Sequence, residues 1–428
     1  MKVRITMVEM PPQGPFRTDI EIGPAPSRTV IPDAPLKTQV GRAGRTLSIY
    51  PASMGYDLQE ELDFLSNRAL EPNVFFAGRV LAPAMPRVED KQVQLALIRD
   101  VNARSSRMRL LMPFTTEKPG FSIGASIIRA WANPFGPLGT PLLDAEEAAE
   151  TLDNLLEALS RRDLRLPNIL VLPDLRINGR FAQLMRAVAV GRNLPVTTTN
   201  IFQRPILQSE LDGEAYLRKA LSSHHMREMR RQWRQLEAQG TVSYEVARQP
   251  SEIRRRTEEF LSLEASGWKG RKRSAMISDR FRAAFAREAI ANLSEADAVR
   301  IHTIDLNGKA IASLVVFVMG GEAYTWKTAY DEAYARFSPG KLLMMKLTDW
   351  HLDDLNIQRS DSCAVPDHPI MSRFWMEREE MGTLVIGLSE TSDRDVRQVG
   401  AQLHLYRNTR NMARLLRQKI LGLAGRDG

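Results

Sequence analysis

The stretch Tyr324–Trp350, YTWKTAYDEAYARFSPGKLLMMKLTDW, decides how the chain is read. Its β-branched and aromatic opening predicts a strand over Tyr324–Tyr330, and Asp331–Gly340 follows as a turn-forming loop. Lys341–Trp350 carries the 3.6-residue spacing of an amphipathic helix. The loop closes on Arg336, Phe337, Ser338, Pro339, Gly340 and Lys341. Proline suits a first helical turn, and a helix start offers free amides and a positive dipole end. With two cations nearby, this junction is expected to hold an anion, phosphate above all. It is neither a Walker loop nor a dinucleotide fingerprint, because only one of the needed glycines is present.

Working outward, Val299–Leu306 and Ala310–Met319 flank Asn307-Gly308, a pair suited to a type I′ turn, so a hairpin is expected. Gly320-Gly321 then leads into the opening strand, giving a three-stranded meander. Further upstream a long helical pattern runs from Glu214 to Gln239. Then come a strand over Thr241–Arg248 and helices over Ser251–Ser266 and Arg280–Leu293. Downstream lie a helix at Met371–Glu380, a strand at Thr383–Leu388 and a final helix from Asp393. Before all this, Thr46 to about Asn200 reads as a separate α/β segment with strands at Leu47–Tyr50, Val93–Asp100, Met108–Thr115, Asn168–Leu175 and Val196–Gln203. Helices are expected over Asp57–Ala69, Ala145–Ser160 (capped by Asp144) and Phe181–Val190. The two segments share an order of helix, antiparallel strands, helix and late strand, which suggests a two-lobe chain.

Composition sets the outer bounds. At 428 residues, two to three domains of about 150 residues are expected. A net charge of +8 favours an anionic partner, or simply a basic soluble surface. Cys363 is the single cysteine, so no internal disulfide can form, which suits a reducing cytoplasm. No apolar run of about 18 residues exists, so no membrane insertion is expected. Residues 1–45, rich in Pro and Gly, read as a leader without a secretion core.

Three further constellations carry possible chemistry. In FLSLEASGWKGR, a helix ends at Gly267 and sets Trp268 beside Lys269; Glu264 near that end is a candidate general base. In Ser222–Gln235, Arg227, Arg230, Arg231 and Arg234 share one helical face. That face is either solvated or an electrostatic surface for the phosphates of a nucleic acid, an acyl carrier or a lipid. After a strand end, Asp361, Cys363, Asp367 and His368 cluster, and the Asp367–His368 pair could move a proton. No Cys-x-x-Cys or His-x-x-x-His supports a metal site. No nucleophile elbow supports a hydrolase.

These segments together resemble a known family. Leu263-Glu264-x-x-x-Trp268-Lys269-Gly270, Tyr334-x-x-x-Ser338-Pro339-Gly340 and the basic helix before the first strand are similar to the GNAT-type acyltransferase domain of the cellulose-biosynthesis-associated (CelD-like) proteins. The resemblance spans about Ser222 to Leu388 and extends to Fem-type transferases built of two such lobes. It implies an α/β (α+β) fold with two GNAT-like lobes in tandem, each a mostly antiparallel sheet flanked by helices. The expected boundaries are 46–205 and 206–415, with a basic tail at 416–428. It also implies an N-acyltransferase, acting in the cytoplasm on a small-molecule or glycan amine in polysaccharide or envelope biosynthesis, with acyl-CoA as donor. Arg336–Lys341 would hold the donor pyrophosphate. Trp268, Lys269 and Tyr330 would line the substrate channel. Glu264, Asp331, Asp367 and His368 would be candidate bases. An acyl carrier protein or aminoacyl-tRNA on helix 222–235 is the alternative donor, and a non-catalytic accessory protein the alternative role. The loop departs from the Gln/Arg-x-x-Gly-x-Gly/Ala pattern of such transferases, with Phe-Ser-Pro-Gly in its place.

Overall fold

The computed structural model describes residues 36–424 except 86, 88–91, 103–104, 123, 133–134, 367 and 369, with side chains through Met412. In the first half, β1 (Leu36–Gln39) and β2 (Arg45–Pro51) precede α1 (Gln59–Ser66) and α2 (Gly78–Ala84). Then come β3 (Gln94–Val101), β4 (Ser106–Glu117), β5 (Ile127–Ala130), β6 (Leu142–Leu143) and α3 (Ala148–Leu159). β7 (Ile169–Arg176), α4 (Arg180–Gly191) and β8 (Val196–Leu207) follow. The second half opens with α5 (Gly213–Ala220), α6 (Ser223–Glu237), β9 (Val242–Ala247), α7 (Pro250–Ser266), α8 (Trp268–Arg271) and α9 (Arg280–Glu295). It continues with β10 (Val299–Leu306), β11 (Lys309–Met319), β12 (Glu322–Tyr330) and α10 (Pro339–Asp353). β13 (Arg359–Asp361), α11 (Met371–Phe374), β14 (Glu377–Gly387) and α12 (Asp393–Ala424) complete it.

The strands join into one mixed, mostly antiparallel sheet in the order β1-β2-β3-β4-β5-β7-β14-β8-β13-β12-β11-β10-β9, with β6 beside β4. Each half repeats one plan: an antiparallel run, then a parallel pair joined by a crossover helix. The pairs are β5–β7, linked through α3, and β12–β13, linked through α10. The halves also exchange strands. β14 lies between β7 and β8, and β8 reaches across to pair with β13.

Helices cover both faces, so β11 reads as a nearly continuous apolar run buried from Ala310 to Val318, and every residue of β10 is buried. One face carries a core shared by both halves, built from α1 and α2 (Leu62, Leu81) with α7 and α9 (Phe260, Ile290). The other carries two cores, one under α3 and α4 (Leu155, Phe181) and one under α5, α6 and α10 (Tyr216, Leu236, Leu342). At the seam the sheet is held by buried ions. Arg176 meets Glu322 at 2.6 Å, Arg204 meets Asp361 at 3.3 Å, and Arg359 meets Glu322 at 3.0 Å. Burial opposes the charge on Asp361, but Arg204 and Arg176 outweigh it and hold the carboxyl below its usual range.

Several expectations change. The long helix over 214–239 is two helices, because Ser222 stops the first and caps the second by accepting from the His225 amide. The expected helix over 371–380 ends at Phe374, and β14 begins at Glu377, where it pairs with β8. Asp144 does not cap α3; its carboxylate goes to Arg107 at 2.8 Å, and Glu147 is the N-cap. The expected leader already contains β1, residues 416–424 of the expected tail are helical, and the 205/206 boundary falls inside β8. The rest of the leader, 1–35, and the tail end, 425–428, lie outside the described residues. Asn307 and Gly308 both have positive φ, 52° and 76°, as a type I′ turn requires.

Candidate active site

β12 and β13 pair for only three residues, Glu322–Tyr324 against Arg359–Asp361. β13 then ends, while β12 runs on to Tyr330. On its other edge β12 carries a bulge: Val316 pairs with Thr325 and Val315 with Lys327, leaving Trp326 as the extra residue. The bulge turns adjacent side chains onto the α7–α9 face. Trp326 stacks on Phe317 with centroids 4.8 Å apart, and Lys327 Nζ stands 4.9 Å from the Phe135 ring.

Beneath this bulge lies a buried charge cluster. Glu264, at the end of α7, accepts from Lys269 Nζ at 3.0 Å and from the Met276 amide at 2.7 Å, with Lys327 Nζ 3.8 Å away. Lys269 also donates to the Thr328 carbonyl at 2.8 Å, tying α8 to β12. Burial lowers the Lys327 amine to about 8; Glu264 offsets part of this, while Lys269 and Arg282 add to it. The Trp-Lys-Gly segment has a steric reason for its glycine: a Cβ on Gly270 would sit 1.8 Å from the Ala265 carbonyl oxygen.

The loop after β12 is clasped from two sides. Asp331 caps its 3₁₀ turn by accepting from the Ala333 amide. Glu332 accepts from the Trp268 amide and from Arg271, each at 2.7 Å. Trp268 itself is 45% exposed, with Lys272 Nζ 5.1 Å from its ring. On the other side, Gln232 of α6 donates to Ser338 Oγ at 3.2 Å. All three sequence segments therefore meet around β12 and its loop.

The start of α10 is less open to an anion than its sequence implies. Ser338 adopts φ 52°, and its carbonyl takes both the Lys341 and Leu342 amides, at 2.9 and 3.2 Å. Pro339 has no N–H. Gly340 is the amide left in that first turn, close to Tyr330, whose Cδ1 is 3.6 Å from where a Cβ would stand. Arg336 is exposed with its guanidinium 4.6 Å from the Phe337 ring, Phe337 is buried, and Lys341 is half-buried. The turn thus supplies two cations but not the amide cradle that a coenzyme pyrophosphate needs.

Beyond β13 the other candidates separate. His368 lies at the head of α11, where its Nδ1 accepts from the Met371 amide at 3.3 Å; burial lowers it. Asp367 lies outside the described residues. The Cys363 thiol is pushed well up by burial and by Asp361, so it is not a thiolate nucleophile. A cavity of about 600 Å³ opens at Cys363–Pro366 and reaches β8 and α12. Arg129, Arg204, Phe202 and Tyr406 line it, and the Arg204 Nε is buried with no hydrogen bond.

Sequence reasoning missed Lys327, Gln232 and Phe135. The signal for Lys327 was a lone cation inside an otherwise apolar strand pattern. Phe135 comes from the Gly/Pro-dense loop of the first half, and nothing local joins it to residue 327.

Residues 223–362 match the family described as acetyltransferase (GNAT) domain, which spans α6 to the end of β13. Two solved structures share the fold. A conserved protein of unknown function from Bacteroides thetaiotaomicron is 10% identical, with 80% of this chain and 100% of that one covered and a TM-score of 0.50. FemX is 8% identical, with 80% and 98% covered and a TM-score of 0.50. No curated protein matches this chain in sequence. The fold is the mixed α/β arrangement those structures share, and the matched segment, about a third of the chain, is similar to acetyltransferase (GNAT) domains.

Proposed function

We propose that the chain is an N-acyltransferase that moves an acyl group from a phosphate-bearing carrier to an amine. The observation behind this reading is that the GNAT-domain match ends where β13 leaves β12, beside the bulged strand and the Glu264–Lys269–Lys327 cluster. Direct transfer asks little of a protein. It must align the amine with the acyl carbon, accept a proton and supply donors to the developing oxyanion. In this reading Lys269 and Glu264 fix β12 in place, and Trp268 rims the approach. The amine acceptor enters through the cavity at Cys363–Pro366. Its lining guanidinium groups, buried Arg204 and half-buried Arg129, suit an acceptor with a carboxylate or phosphate, such as an amino-sugar precursor of an envelope or polysaccharide. Acyl-CoA is the first donor to test, although the α10 turn does not cradle its pyrophosphate.

The test is a donor panel of acetyl-CoA, longer acyl-CoAs, acyl carrier protein and aminoacyl-tRNA against amino-sugar phosphates. The acylated amine is read by mass spectrometry. Turnover above the protein-free rate with one donor class supports the reading. A flat panel would sink it.

A further inference from the structure

We propose that the groove between α5, α6 and α10 is a nucleotide-phosphate site, which holds the carrier end of the donor. Its basic wall is the row Arg227, Arg230, Arg231 and Arg234 on one face of α6, joined by Lys346 from α10. The groove encloses about 910 Å³, within the range of about 300–1,000 Å³ that small-molecule sites occupy.

Internal ion pairs do not consume this row. Arg231 is bound to Glu228 at 2.6 Å, and Arg230 stands 3.6 Å from Glu214. Arg227 and Arg234 meet no carboxylate within ion-pair distance among the described residues. Side chains at i and i+7 lie about 10 Å apart along a helix, so the two unpaired guanidinium groups bracket more than one phosphate. The remaining wall suits a nucleoside. Trp233 is half-buried, with Lys346 Nζ 4.9 Å from its ring, and Leu217, Met226 and Met345 add apolar surface. Glu214 and Asp349, which also line the groove, are acceptors for ribose or base N–H and O–H groups.

The groove also connects to the reacting strand. Gln232, one residue before Trp233, holds Ser338 at the start of α10. A carrier seated along α6 therefore runs toward the β12 loop. This explains why the α10 turn can spend its amides on the Ser338 carbonyl: guanidinium groups take the phosphates instead. The carrier role rests on the transferase reading; the binding site does not.

Isothermal titration of the full chain with ATP and with a twelve-nucleotide single-stranded RNA, at two salt concentrations, tests the site. The comparison variant is Arg227→Ala/Arg234→Ala, whose exposed side chains leave the fold intact; circular dichroism and Tm verify this. Wild type should bind at least one probe, more weakly at higher salt. The variant should lose on the order of tenfold, and the slope of log K against log salt should fall by about 1.5 to 2. Binding of ATP assigns a free nucleotide carrier, and binding of RNA alone assigns an RNA end. If neither probe binds, or the folded variant binds as wild type does, the site is refuted. No acyl transfer is measured, so that outcome leaves the transferase reading standing.

Discussion

Replacing Lys327 with Met removes a charge that the fold holds against burial. The side chain is 16% exposed, and its amine titrates at about 8 instead of 10.5. At about 1.4 kcal/mol per pH unit, keeping that amine charged costs the native state about 3 kcal/mol. The sign follows from proton counting. Between about pH 8 and 10.5 the unfolded chain holds a proton that the folded chain has released, so wild-type stability rises with pH across that window. Below pH 8 the full cost is present, and above 10.5 it is gone. Lys327→Met, close in shape and uncharged, should therefore be more stable than wild type at pH 7 by up to about 3 kcal/mol. Glu264 keeps Lys269 and the Met276 amide as partners. The advantage should shrink as pH rises and vanish by about 10.5. Urea unfolding of both proteins at pH 7, 8.5 and 10 measures it, because titrating groups away from residue 327 cancel in the difference. A difference that stays constant with pH would refute the assignment.

Other outcomes follow from the same contacts. Gly270→Ala forces a Cβ against the Ala265 carbonyl and should cost about 2 kcal/mol, read as a lower urea midpoint at unchanged m-value. Lys269→Ala frees β12 from α8 and takes a cation from buried Glu264, so the urea midpoint should fall, and in whichever donor assay shows turnover kcat/KM should fall about 100-fold. Burial pushes His351 down to about 3 from 6.5, so the unfolded chain protonates first and stability drains away as pH falls below about 6.5. By pH 4 that loss should reach about 3 kcal/mol, and His351→Gln should flatten the decline in an acid titration of unfolding.

Local patterns carried most of the fold. The β10–β11 hairpin was legible because Asn307-Gly308 has one dominant turn geometry, and β12 because the meander enters it directly. β13 was not, since a three-residue strand shows no period, and its pairing with β12 and β8 is decided by the sheet. The helix expected at 371–380 failed for the same reason. Trp375 to Glu379 fits a helical pattern locally, but the edge of β8 offers a ladder that outweighs it. At the site, the sequence marked Glu264, Trp268, Lys269 and the α10 turn, but their ties run through the Thr328 carbonyl and through main-chain amides that meet Glu264 and Glu332, contacts no side-chain pattern reveals. Asp331 and His368 were marked as candidate bases by residue type, and in the fold each also accepts from a turn amide.

The exchanged strands bear on how the chain is made. Ile169 of β7 pairs with Gly387 of β14, 218 residues further on. As the polypeptide emerges from the ribosome, the first half can lay down β2 to β7 but has an open edge where β14 belongs. That edge, apolar on both sides, stays uncovered until most of the second half has been translated. Folding of the first half is thus a waiting state with long-range closure, the kind of intermediate that invites pairing with the wrong strand. Messages cut after residue 205 should yield aggregates, while supplying the second half in trans should rescue solubility only if β14 is included.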